Sequence, residues 1–294
     1  MKPTLGRRRL LQGAAGGALF LALPTWGAAA PATPLERLKS LEAELGGQLG
    51  VWAIDTGNGN TLAWRSEERF AMCSTFKLML VGAILDKGRT QPDLLAQRVS
   101  YSQQQLVTYS PVTSKHVATG MTVAQLCAAG LQYSDNTAAN LLLRLVGGPA
   151  GLTHFARRLG DTAFRLDRIE PELNSALPDD PRDTTTPLAM GASLQRLLLG
   201  NGLPAPAQQQ LANWLKGNTT GDTRIRAGLP SAWPVGDKTG SGDFGVANDV
   251  GIIWPAGRAP WILAIYTRGR EKAAPMRNDV IAAATRIVVD TWGR

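Results

Sequence analysis

Histidine and cysteine are nearly absent: the 294 residues hold two of each. His116 and His154 have no carboxylate or cysteine at ligand spacing, so they cannot build a zinc-hydrolase site. Both read as surface residues. No run of about 20 apolar residues occurs beyond the N-terminal leader, which excludes a membrane-spanning helix there. Aromatics make up only 6% of the chain, and the basic residues are scattered rather than drawn into a stripe between aromatics, which argues against a nucleic-acid surface. Internal repeats and low-complexity tracts are missing too. A chain 44% hydrophobic and only 18% charged reads as soluble and well cored, not disordered. The two cysteines do not form a disulfide framework. Cys73 directly precedes Ser74 at the start of a predicted helix, and Cys127 falls in the apolar register Val123, Leu126, Cys127, Leu131. Both are expected as free, buried thiols acting as small hydrophobes.

The first thirty residues read as an address. Arg7-Arg8-Arg9-Leu10-Leu11 precedes an apolar run from Ala14 to Leu23 and then small residues from Gly27 to Ala32. The arrangement is similar to a twin-arginine leader, with an ordinary Sec leader as the alternative, and cleavage after Ala28, Ala29 or Ala32 is expected. Its loss removes Lys2, Arg7, Arg8 and Arg9, so the formal net charge falls from +8 to +4. A periplasmic or secreted mature protein follows, of a length that suits one large domain or two packed lobes.

Downstream, Leu35, Leu38, Leu41 and Leu45 give a helical stripe after Pro34. Residues 50–55 and 61–65 flank a Thr-Gly-Asn-Gly-Asn turn and read as strands. Helices are expected from Ser74 to Leu85, after the Thr122–Gln125 capping box, from Thr137 to Val146, and after Pro149 and Pro187. Strands follow at 233–241, 248–254 and 261–267, and an amphipathic helix runs from Asn278 to Trp292. The expected fold is mixed α/β, with an antiparallel sheet flanked by terminal helices and an inserted all-helical lobe. Residues 31–66 and 217–294 would form the α/β lobe and 67–216 the helical one, with the site in the cleft. The segment 165–183 carries prolines, many charges and no periodicity, which marks it as functional.

Four motifs stand in one order: Ser74-Thr75-Phe76-Lys77, Ser134-Asp135-Asn136, Glu170-Pro171-Glu172-Leu173-Asn174 and Lys238-Thr239-Gly240. A lone Ser-x-x-Lys turns up about once in a chain this long, but each exact tripeptide well under about one time in ten. On a helix, Ser74 and Lys77 share a face, so the amine reaches the hydroxyl that it would activate. The start of that helix turns free backbone N–H groups toward a reacting carbonyl. Ser134 can pass a proton to a leaving amine nitrogen and Asn136 can hold a substrate amide, while Asp135 suits a helix cap. On a strand, Thr239 and Ser241 share one face. Lys238 would attract an anionic substrate group, and Gly240 would leave room for the substrate. Two other signals carry nothing. Asp243-Phe244-Gly245 has no partner motif for phosphoryl transfer. Asn218-Thr219-Thr220 spells a glycosylation acceptor behind a bacterial-type leader.

These motifs resemble the class A serine β-lactamases over essentially the whole mature chain. Glu170-x-x-x-Asn174 separates that family from the transpeptidases that share the other three motifs. The resemblance implies a serine β-lactamase/penicillin-binding fold, and hydrolysis of penicillins and cephalosporins through an acyl-enzyme on Ser74. It implies an oxyanion hole from the backbone N–H groups of Ser74 and Ser241, and a water held by Glu170 and Asn174. It also implies an omega loop over 165–183 with a cis Glu170–Pro171 bond and an Arg168–Asp183 ion pair. Tyr109 matches the aromatic gatepost. Arg224 matches the arginine that some branches use for the substrate carboxylate beside Lys238, Thr239 and Ser241; Arg226 is expected to matter much less. The acylation base, Lys77 or Glu170 through water, stays open. One carbapenem-hydrolysing branch bridges cysteines matching Cys73 and Gly242, and Gly242 removes that bridge here. The expectation is a periplasmic monomer without metal or cofactor, acting on small β-lactams, with no nucleic-acid partner and no stable membrane association. A D-Ala-D-Ala peptidase or a β-lactam sensor domain is the alternative.

Overall fold

The structure is a computed structural model that describes Met1 and residues 32–293, so the expected leader lies outside the described residues. Helix α1 (Pro34–Leu45) opens on a capping box between Thr33 and Glu36 and ends at Gly46 in the left-handed region. Strands β1 (Gln48–Asp55) and β2 (Thr61–Trp64) form a hairpin. Strand β3 (Phe70–Ala71) leads into a 3-10 turn, Cys73–Thr75, and helix α2 (Phe76–Lys87). Short strands β4 (Arg98–Val99) and β5 (Met121–Thr122) pair with each other. Helices α3 (Val123–Gln132), α4 (Asn136–Leu145) and α5 (Gly148–Arg158) follow. Strand β6 (Thr184–Thr185) pairs with β3 and precedes α6 (Pro187–Leu198) and α7 (Ala205–Lys216). The chain closes with β7 (Val235–Gly242), β8 (Val246–Ile253), β9 (Trp261–Arg268) and α8 (Asn278–Trp292).

The main sheet is antiparallel in the order β2-β1-β9-β8-β7, which leaves β7 as an edge. Both faces are covered, so its strands read as apolar runs rather than alternations. Period two still sorts them. Ile262, Ala264 and Tyr266 join the helical core with Trp52, Val250 and Ile252, whereas Trp261, Leu263 and Ile265 face α1 and α8. Among the described residues, 33–293 pack as one unit. No described helix is long and apolar enough to cross a membrane.

One expectation is corrected. The helix does not open at Ser74: Cys73–Thr75 form a 3-10 turn and the α-helix starts at Phe76. Neither hydroxyl caps that helix. Thr75 Oγ1 donates back to Met72 O at 2.8 Å, and Ser74 Oγ points to Glu170. Helix α7 was not anticipated from the sequence. Glutamines fill its middle, and only Leu211, Ala212 and Leu215 are fully buried.

Candidate active site

The turn that leads into α2, the α3–α4 junction, the 165–183 loop and the edge strand β7 meet at one cleft. It encloses about 390 Å³ and is lined by Ser74, Tyr109, Ser134, Asn136, Asn174 and Ser241, with Arg224 and Thr239 beside them. A larger depression of about 590 Å³, lined by Asp86, Arg89 and Arg158, holds none of the motif residues.

At the cleft floor, Ser74 Oγ donates to Glu170 Oε1 at 3.2 Å, and Lys77 Nζ lies 2.9 Å from the same oxygen. Lys77 Nζ also donates to Ser134 O at 2.8 Å and Asn136 Oδ1 at 2.7 Å. Three acceptors match the three N–H bonds of an ammonium. Burial pulls the Lys77 pKa below its ordinary value, while the Glu170 carboxylate pulls it back up. The resting amine therefore holds a proton that it gives up more readily than a solvated lysine. Asn174 Nδ2 donates to Glu170 Oε2 at 2.5 Å, and Asn174 Oδ1 is buried with no hydrogen-bond partner among the described residues.

Loop 165–183 is tied at its neck. Asp183 Oδ1 accepts from the backbone N–H groups of Asp167 and Arg168 at 2.8 and 2.9 Å, and its Oδ2 pairs with Arg168 Nε at 2.5 Å. The Glu170–Pro171 bond is cis. Asn140, not anticipated from the sequence, grips the Glu170 peptide from both sides: it donates to Glu170 O at 2.8 Å and accepts from Glu170 N at 3.0 Å. It sits one helical turn beyond Asn136, and that i, i+4 spacing was the available signal.

At the α3–α4 junction, Asp135 caps α4 through Ala138 N at 2.8 Å and accepts from Val112 N and Thr113 N, at 3.0 and 2.9 Å. Ser134 is left-handed, with φ 57°, as are Cys73 at 45° and Tyr109 at 63°. Such non-glycine strain costs on the order of 1–3 kcal/mol per residue and persists where the surroundings over-determine it. Here Lys77 holds the Ser134 carbonyl, and Lys238 Nζ donates to its hydroxyl at 3.1 Å. Tyr109, 57% exposed, forms a wall of the cleft, and its carbonyl accepts from Asn136 N at 3.0 Å.

Strand β7 carries the last motif. A Cβ on Gly240 would lie 2.6 Å from Met72 O, so glycine there answers to the close approach of the backbone just before Ser74. A Cβ on Gly242 would lie 2.6 Å from Cys73 Sγ; Cys73 and Cys127 are free and buried. Arg224 Nη1 donates to Gly240 O and Asn248 O, both at 2.7 Å, and Nη2 donates to Ser241 Oγ at 2.7 Å. Its Nε donates to Asn278 Oδ1 at 2.9 Å. Arg226 points away from the cleft, to the buried Asp237 Oδ1 at 2.9 Å. His116 and His154 are exposed, and Asn218 of the glycosylation-like triplet is buried.

Burial, aided by the nearby Lys77 charge, pushes the Lys238 pKa down to about 7. Its charge is therefore present below about pH 7 and lost above it. If that charge draws an anionic substrate, kcat/KM falls as pH rises through about 7, because kcat/KM reports the free enzyme's groups. Lys238→Arg, charged throughout, should flatten this alkaline limb in a pH–rate profile. The same limb in both proteins would contradict the role.

A family model described as the Beta-lactamase enzyme family matches residues 34–292. The chain is 54% identical over 259 residues to a carbapenem-hydrolyzing beta-lactamase KPC of Klebsiella oxytoca, covering 88% of each. It is 53% identical over 257 residues to beta-lactamase CTX-M-8 of Citrobacter amalonaticus, covering 87% of this chain and 88% of that one. Among solved structures, a beta-lactamase from Desulfarculus baarsii superimposes with a TM-score of 0.88 at 60% identity, covering 89% of this chain and 97% of that chain. A variant of the last common ancestor of Gram-negative bacteria class A beta-lactamases gives 0.86 at 53% identity, covering 88% and 98%. With the match spanning both the sheet and the helices around this cleft, the chain belongs to the class A serine β-lactamases.

Proposed function

We propose that this β-lactamase opens the lactam amide of penicillins and cephalosporins through an acyl-enzyme on Ser74, and so confers resistance to them. The observation that carries the reading is one buried carboxylate, Glu170, bonded at once to the Ser74 hydroxyl, the Lys77 amine and the Asn174 amide. A serine is a weak nucleophile until a base takes its proton. Glu170 Oε1 is the acceptor that the Ser74 proton already faces, so we assign Glu170 as the acylation base. Ser74 Oγ then attacks the lactam carbonyl. The oxyanion is met by the backbone N–H groups of Ser74, inside the Cys73–Thr75 turn, and of Ser241, on an edge strand.

As the C–N bond breaks, Ser134 gives its proton to the nitrogen. Its oxygen already accepts from Lys238, which leaves the hydroxyl proton to donate. Lys238 Nζ, which donates to the Ser134 hydroxyl oxygen, replaces the proton that Ser134 gives away, and solvent takes the Ser74 proton from Glu170 and recharges Lys238. Glu170, again a carboxylate, then deprotonates water, and the free Asn174 Oδ1 acceptor suits that water's second proton. Water adds to the acyl carbon, the ester bond breaks and Ser74 recovers its proton. Asn136 holds the substrate's side-chain amide, Tyr109 flanks it, and Lys238, Thr239, Ser241 and Arg224 surround its carboxylate.

The N-terminal sequence reads as an export leader, which supports a periplasmic protein, and a cleft of about 390 Å³ suits small-molecule substrates. Purified protein mixed with a chromogenic cephalosporin should release product far beyond one equivalent. A burst that stops at one equivalent would instead indicate a penicillin-binding or sensor protein.

A further inference from the structure

From Thr239 a chain of polar side chains runs through Thr220, which also lines the cleft, into the protein, and its direction is fixed without seeing a hydrogen atom. Asn218 Oδ1 lies 3.0 Å from the backbone N of Thr220. A backbone N–H can only donate, so the carbonyl end of the Asn218 amide must face Thr220. The amide nitrogen then faces Asp237 Oδ2, to which it donates. Asp237 is buried and its other oxygen is held by Arg226 at 2.9 Å, which locks the arrangement at its far end.

Thr220 Oγ1 lies 2.8 Å from the same Asn218 Oδ1 and therefore spends its single proton there. Thr220 Oγ1 also lies 2.5 Å from Thr239 Oγ1. Having already donated, Thr220 must accept in that pair, so Thr239 gives its proton to Thr220. Two residues along, Ser241 has the opposite polarity. Its oxygen accepts from Arg224 Nη2, a group that only donates, and its own proton is left for the cleft.

We propose that Asn218 and Thr220 are positioning residues that hold the Thr239 proton on Thr220, along the cleft wall, and so withhold it from a bound carboxylate in the resting enzyme. Ser241 then offers a ready donor to a substrate carboxylate, whereas Thr239 must first break its bond to Thr220. Thr220 thereby sets how strongly the enzyme favours substrates with a free carboxylate. The inference rests on the placement of that carboxylate against Thr239 and Ser241 proposed above.

Thr220→Val keeps the shape of the side chain, removes the acceptor and leaves Asn218 Oδ1 its bond from the Thr220 backbone N–H. With the Thr239 proton freed, kcat/KM for a penicillin should rise about two- to tenfold, the size of one neutral hydrogen bond, relative to kcat/KM for its methyl ester. Thr220→Ser, which keeps the hydroxyl, should restore the wild-type acid-to-ester ratio. Thr239→Val should lower that ratio and abolish the gain from Thr220→Val in the double variant. The inference is overturned if Thr239→Val lowers the ratio but Thr220→Val leaves it unchanged or reduces it, or if the Thr220→Val gain survives without the Thr239 hydroxyl. If Thr239→Val leaves the ratio untouched, the carboxylate placement itself fails and takes the inference with it.

Discussion

Glu170→Ala should convert the enzyme into a trap that acylates Ser74 and does not let go. General-base catalysis contributes on the order of 10²–10⁴-fold, and Glu170 is assigned that work in both half-reactions. The two steps are not affected alike. Acylation keeps a strained ring, the oxyanion donors and the Ser134 proton, whereas deacylation must activate water against an unstrained ester. The fold should tolerate the change. Lys77 keeps Ser134 O and Asn136 Oδ1 as acceptors, and burial already favours its neutral amine, so it need not stay an unpaired buried charge. Intact-mass spectrometry after mixing with a penicillin should show the whole protein shifted by the mass of the drug for many minutes. Turnover near the wild-type rate would remove Glu170 from the water-activating role.

Arg224→Ala and Arg226→Ala should fail in different ways. Arg224 has four of its N–H groups committed, to Gly240 O, Asn248 O, Ser241 Oγ and Asn278 Oδ1, which leaves one on Nη2 for a carboxylate. Its removal loses a charge-assisted bond and loosens Ser241. At roughly 1.5–3 kcal/mol for such a bond, kcat/KM should drop about ten- to a hundredfold for both drug classes. Arg224→Lys should not rescue it, because an ammonium cannot span the same acceptors.

Arg226 stands outside the cleft lining, so its loss should leave kcat/KM within about threefold, well short of the Arg224 effect. It is nonetheless no silent control. Arg226 is paired with Asp237, which is fully buried and whose pKa burial already raises. Stranding one partner of a buried pair costs about 3 kcal/mol or more, less whatever Asp237 recovers by taking up a proton. The melting temperature should fall by roughly 2–4 °C for each kcal/mol lost. A catalytic collapse in Arg226→Ala with Arg224→Ala silent would relocate the carboxylate pocket.

Much of this was legible from local signals, because the signals and the structure obey the same rules. Apolar runs gave the strands that both core clusters cover, and the capping box at Thr122 marks the start of α3. The four motifs named the groups that meet in the cleft. What escaped the sequence depends on partners far along the chain. Asn140, Asn218 and Thr220 are ordinary polar residues until the fold places Glu170, Asp237 and Thr239 against them. Gly240 read as room for substrate, yet its missing side chain makes way for the Met72 carbonyl, 168 positions earlier in the chain. Ser74 read as the first residue of a helix because helix starts are judged from neighbours a few residues away, whereas the α-helix begins at Phe76 and the Ser74 hydroxyl bonds across to Glu170.

The central claim is that Ser74 carries the acyl group during turnover. Acid quenching of the wild-type protein within its first turnovers on a slow cephalosporin, followed by proteolysis and peptide mass mapping, tests it directly. The account predicts that the peptide containing Ser74 alone carries the drug-derived acyl group, that this adduct vanishes once substrate is consumed, and that Ser74→Ala shows neither adduct nor turnover. An adduct on any other residue, or continued turnover by Ser74→Ala, would contradict it.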